Sequence, residues 1–121
     1  MVLEASGNSQ RDTGPLSQLT KGMHHIPIED MEAWVFRSVE TRMEEVVKNG
    51  KITQPRNSFM LYRSAYFERA KKWYASNNPA VINTVIGESW YKEAPEVRQL
   101  YELLARIDSD KHKLAHPGYK F

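Results

Sequence analysis

Four stretches of this chain repeat large apolar residues at intervals of three and four, and none alternates apolar with polar residues over the length of a strand. That period belongs to helices turned with one face to a core, so it constrains the chain to an all-α fold. Helix-end chemistry punctuates the stretches. The first, over 28–48, follows Pro27 and gathers Glu29, Asp30 and Glu32 at its start, where the helix dipole favours acids. Its stripe is Ile28, Met31, Trp34/Val35, Val39, Met43 and Val46/Val47, and Asn49-Gly50 close it. The second runs from about Ser58 to Ala75, capped by Asn57 or Ser58, with Phe59, Tyr62, Tyr66, Ala70 and Trp73 facing inward. The third runs from about Pro79 to Trp90, with Asn78 as N-cap and Pro79 at the first helical position. Its stripe is Val81/Ile82, Val85/Ile86 and Trp90. The fourth runs from about Pro95 to Leu114 through Val97, Leu100/Tyr101, Leu104, Ile107 and Lys111, and Pro117-Gly118 stop it.

Ahead of these helices, residues 1–27 show no apolar period and are rich in Ser, Thr, Gly, Gln and Asn, which reads as a flexible arm. The organisation expected is an arm (1–27), an amphipathic helix with its linker (28–50), and a three-helix unit (51–121). The stripe of the 28–48 helix must be covered by something. It docks on the three-helix unit, dimerises, or takes a partner.

The net charge of +2 hides a split. Residues 1–50 carry five basic and eight acidic side chains, a net of −3, and residues 51–121 carry twelve and seven, a net of +5. A basic second part points to a polyanion partner. The chain has no cysteine, which excludes disulfide scaffolds, thiol chemistry and cysteine-based zinc fingers. Its apolar runs are too short to span a membrane, so no membrane partner is expected. No nucleophile elbow, phosphate loop or zinc-protease motif is present, so an enzyme is not expected and neither is a cofactor. His24-His25 is a candidate metal pair with no completing ligand nearby. His112 and His116, with Glu102 or Asp108, imitate an acid–base set but lack any pocket-forming motif.

The informative segment is Gln54-Pro55-Arg56-Asn57-Ser58-Phe59-Met60-Leu61-Tyr62-Arg63. It sets an extended lead-in, a polar Asn and then large apolar residues at a helix start among arginines. A Met beside Asn and Arg on a plain surface has little purpose. It makes sense if the apolar group enters between base pairs while the Asn reads base edges in the minor groove.

Residues 52–121 resemble an HMG box of the sequence-specific type. The pieces that carry the resemblance are PRNSFMLYR, then Ile82…Ile86-Gly87…Trp90, then Glu93-x-Pro95-Glu96-Val97-Arg98-x-x-Tyr101-x-x-Leu104-Ala105. His112-x-x-x-His116-Pro117-x-Tyr119-Lys120-Phe121 is similar to the family's closing strand. PRNSFMLYR, IGESW and EAPEVR look most like fungal mating-type boxes. The resemblance implies an L of three helices with Phe59, Tyr62 and Trp90 at the elbow. It also implies a concave face that binds and bends double-stranded DNA through the minor groove, in the nucleus. Carried over residue by residue, Met60 is the intercalating wedge with Phe59 beside it, and Asn57 reads base edges with Ser58 next to it. Asn83 faces the groove, Lys51, Arg56 and Arg63 contact phosphates, and Phe121 lies by the closing strand. The chain departs from the family pattern at Thr53-Gln54, Ser64 and Phe67, where relatives are commonly basic, and at Ala80. Asn78-Pro79 displaces the usual turn. The alternative is a protein-interaction module in which Ile28–Val47 docks another transcription regulator.

Overall fold

The computed structural model describes residues 14–120. Among them are six helices and no strand: α1 (Leu16–Leu19), α2 (Met31–Val35), α3 (Val39–Asn49), α4 (Ser58–Trp73), α5 (Pro79–Lys92) and α6 (Pro95–Ala115). The expected all-α fold is present. The last three helices start where the cap residues place them. Asn57 Oδ1 accepts from Met60 N, and Asn78 Oδ1 accepts from Ala80 N. Pro79 and Pro95 occupy first turns, where no N–H is needed.

Helix α4 is the centre of the box. It packs on α5 along one side and on α6 along another. The joint is aromatic. Tyr62, fully buried, has its ring 5.0 Å from Tyr66, 5.0 Å from Trp90 and 5.6 Å from Tyr101. Phe59 meets Trp90 edge-on at 6.1 Å. Such tilted and edge contacts add to the burial of the rings themselves. The extended segment before α4 lies along α6, where Thr53 O pairs with the His112 ring at 3.0 Å. The Tyr119 ring covers the same His112 at 5.0 Å, so both ends of the box meet on α6. The two arms of the L are therefore α4 with α5, and α6 with its flanking extended segments.

Two expectations about the N-terminal part change. The run over 28–48 is not one helix. It breaks at Phe36-Arg37-Ser38, because Ser38 starts α3 as an N-cap, accepting from Thr41 N. The carbonyls left open at the end of α2 are taken by arginines: Arg37 Nη1 donates to Trp34 O at 2.7 Å and Arg42 Nη2 to Val35 O at 2.6 Å. The break also turns the face of α3. Arg42 is buried, whereas Met43 and Val47, both placed in the inward stripe, are 52% and 86% exposed. What faces α6 is the Arg42–Asp108 ion pair, 2.8 Å long and buried on both sides. Gly50 closes α3 in the left-handed conformation at φ 81°.

The second change concerns the arm. Residues 1–13 lie outside the described residues, but residues 14–27 are packed against the box. Leu16 is fully buried in the same core as Leu61, Tyr62 and Ile86. Its N–H donates to Ser89 Oγ, and Ser17 donates through both N and Oγ to the buried Glu93 carboxylate, which also accepts from Tyr62 OH. Farther along, buried Arg69 donates to Thr20 O and Ile26 O. A loop low in apolar residues is thus tied down by polar groups that would otherwise be buried without partners.

A candidate nucleic-acid interface

One face of the α4–α5 arm gathers most of the residues expected to contact DNA. The Asn57 cap holds the exposed side chain at the first turn of α4, with Oδ1 2.8 Å from Met60 N. That bond occupies the acceptor and leaves the amide N–H groups to face outward. Donors are what the minor groove calls for, since A·T pairs offer acceptors there. Ser58 is half-buried as the first residue of α4. Phe59 is half-buried against Trp90, so its position is set by the core. Met60, one residue on, is 45% exposed.

Across the face, Arg63 Nε donates to Asn83 Oδ1 at 2.6 Å and joins α4 to α5. The Arg63 guanidinium also lies 5.1 Å from the Phe67 ring, with Lys71 Nζ 5.8 Å from the same ring. The departures at Phe67 and Ser64 therefore have structural uses. Phe67 is a platform for two cations, and Ser64 Oγ accepts from Arg56 Nη1 at 3.0 Å. Arg56 further stacks on Trp34, its Cζ 4.4 Å from the ring centre. Lys51 is exposed at the start of the extended segment, on the rim of a cleft beside Met60. Phe121 lies outside the described residues.

Trp34, Ser64, Phe67 and Lys71 were not expected in this neighbourhood. The only signal for them in sequence was aromatic or hydroxyl residues at positions that are commonly basic, and for Trp34 none at all. The groups that imitated an acid–base set are accounted for by structure. Asp108 is spent on Arg42, and His112 bonds the Thr53 carbonyl. Burial and the neighbouring His112 lower the pKa of His116 below its ordinary value. Among the described residues no cluster of three or more His, Cys, Asp or Glu is placed to hold a metal, and His24 and His25 are exposed. No helix among them is long and apolar enough to cross a membrane.

The face is helical, with an exposed Met60 and Asn57 at the first turn of α4, and the comparisons specify the family. The model of the HMG (high mobility group) box matches residues 52–120, and the chain belongs to that family. Transcription factor ste11 of Schizosaccharomyces pombe is 32% identical over 84 residues, covering 69% of this chain and 17% of that protein. HMG-box protein STE11 of Pneumocystis carinii is 36% identical over 70 residues, 58% of this chain and 13% of that protein. Mating-type M-specific polypeptide Mc of S. pombe is 28% identical over 78 residues, 64% and 43% respectively. The chain thus spans less than half the length of each of these relatives. No solved structure gives a significant match.

Proposed function

We propose that this chain binds double-stranded DNA in the minor groove and bends it, within a nuclear regulator of fungal mating or sexual-development genes. Met60 is the wedge, Asn57 and Asn83 address base edges, and Arg56, Arg63 and Lys51 hold phosphates. The observation that carries the reading is an exposed Met60 directly after the Phe59–Trp90 contact and within the turn capped by Asn57. Unstacking one base step costs on the order of a few kcal/mol, offset by the buried wedge and by contacts that the bent duplex makes. Flexible pyrimidine–purine steps lower that cost, which is one source of sequence preference. The names of the relatives, a transcription factor and a mating-type polypeptide, support the regulatory and nuclear parts of the reading. A band-shift comparing an AACAAT-like duplex with a scrambled one at stated salt tests it. Preference for the former is expected, and equal affinity would remove sequence-specific regulation.

A second reading is supported by the exposed Phe36, Met43 and Val47 on α2–α3, which suit a docking surface for another regulator. Under that reading Met43→Glu abolishes association seen by light scattering and leaves DNA binding unchanged. A chain that is monomeric and finds no partner under either condition rejects it.

A further inference from the structure

Beside the wedge lies a cleft of about 440 Å³ whose far wall is built from α2 and α3, before the start of the HMG-box match at residue 52. Five arginines and lysines line it, against two acids. Both acids are already engaged: Glu45 is held by Arg37 at 2.7 Å, and Asp108 by Arg42 at 2.8 Å. Lys48, Lys51 and Arg56 are the cations left over, and none makes an ion pair among the described residues. Arg56 is nonetheless not loose. It shares the Trp34 ring with Arg37, whose Cζ is 3.5 Å from the ring centre, and it is bonded to Ser64. Trp34 itself lines the cleft, and its Nε1 is a buried donor without an acceptor among the described residues. Three cations without an acid partner on one cleft define a site for an anion.

The position of the cleft identifies the anion. Met60 is both the proposed wedge and part of the cleft lining. The minor groove is about 6 Å wide, so a side chain seated in it has a sugar–phosphate strand on either side. One strand would lie over Arg63 and Asn83, and the other over the cleft. Resting on the DNA-binding reading above, we propose that the cleft is a second seat for the DNA backbone. In it Lys48 and the Trp34-held Arg56 take phosphates of the strand flanking the wedge, and residues outside the HMG box complete the DNA site.

The test is the salt dependence of DNA binding by the full chain on one fixed duplex. Each phosphate contact contributes about 0.9 to the slope of log affinity against log salt, read between about 50 and 200 mM. Lys48→Gln is expected to lower the slope by about that amount, and Lys48→Arg to restore it. Arg106→Gln, an exposed cation on α6 away from the cleft, is expected to leave it unchanged. Lys48→Ala serves as a second cleft variant should Lys48→Gln melt early. Wild-type binding with an unchanged slope in the cleft variants overturns the seat and leaves the DNA-binding reading standing. An equal drop in Arg106→Gln overturns it too, since long-range charge would then explain both. Absence of binding by the wild-type chain overturns the reading and the seat together.

Discussion

Asp108→Asn removes the acid from the joint between α3 and α6. Arg42 and Asp108 are 3% and 2% exposed, with Nη2 and Oδ1 2.8 Å apart. The substitution leaves a buried guanidinium with only neutral acceptors, the new side-chain amide oxygen and the carbonyls of Val35 and Arg37. Breaking such a buried pair from one side costs about 3–5 kcal/mol, a large part of a typical domain stability of roughly 5–15 kcal/mol. Arg42→Met removes more, because Val35 O loses a donor at 2.6 Å, adding about 1–3 kcal/mol. The double variant Arg42→Met/Asp108→Leu exchanges both charges for apolar groups. It should be less destabilised than the single Arg42→Met, since no lone charge remains buried. Urea unfolding at neutral pH, followed by circular dichroism and by Trp emission, measures all three. With a slope of about 1.5 kcal/mol per molar urea, a loss of about 3 kcal/mol lowers the midpoint by about 2 M. An Asp108→Asn shift under about 0.5 kcal/mol, the range of ordinary surface substitutions, would refute the argument, and so would strict additivity in the double variant.

Four further outcomes follow from the same geometry. Met60→Ala should reduce the bend angle of bound DNA, read by FRET between duplex ends, more than it reduces salt-dependent affinity; an unchanged bend removes the wedge. Tyr62→Phe deletes the hydroxyl that bonds Ser89 and Glu93 and should cost about 1.5–3 kcal/mol in thermal or urea unfolding, because the carboxylate is buried. The lowered His116 pKa means that the unfolded chain binds a proton first as pH falls below the ordinary value of 6.5, so stability present above 6.5 is lost as pH drops through the folded value. His116→Gln should flatten that part of the melting-temperature profile. A fragment of residues 51–121 should lose cooperative unfolding or near-UV dichroism, since it lacks Leu16, Met31 and Val35, each worth about 1.5–3 kcal/mol of burial; a midpoint matching the full chain would show that the box needs no extension.

The box was legible because its helices are bracketed by residues with one physical use. Asn57, Asn78-Pro79 and Pro95 mark the three starts, and the aromatic stripe of Phe59, Tyr62 and Tyr66 recurs at helical spacing. The N-terminal part was not, for three separate reasons. A four-residue helix such as Leu16–Leu19 is shorter than the window in which a period can be counted. The break at Ser38 lies inside an unbroken apolar pattern, because Val39 continues the spacing of Trp34/Val35 on the far side of the cap. Hydropathy also assigns charged residues to solvent, so it puts Met43 in the inward stripe and gives Arg42 no place there. The reverse arrangement depends on Asp108, 66 residues away, and no local pattern contains that information. Of the candidate interface, the individual contacts were legible but not their coupling: the Arg63–Asn83 bond, the Phe67 platform and the Trp34–Arg56 stack all join different elements.

The family match begins at residue 52, but the cooperative core begins at Leu16. The extension attaches through Ser17 and Thr20 to Glu93 and Arg69, through α2 to α4 and α6, and through α3 to α6. None of these attachments covers Asn57, Met60 or Asn83, which stay exposed. Glu45, the one acid of the extension that lines the cleft, is held by Arg37, so the extension adds its contacts without leaving an unpaired acid there. This matters for a box with Ser64 and Phe67 at commonly basic positions, because fewer phosphate contacts mean a smaller electrostatic contribution to binding. What such a box loses in charge it can recover in order. A wedge and an Asn held by a pre-packed core lose less conformational freedom on binding, so more of the contact energy appears as affinity. On this argument the extension belongs to the DNA-binding unit, and its contribution is largest at high salt, where phosphate contacts are weakest.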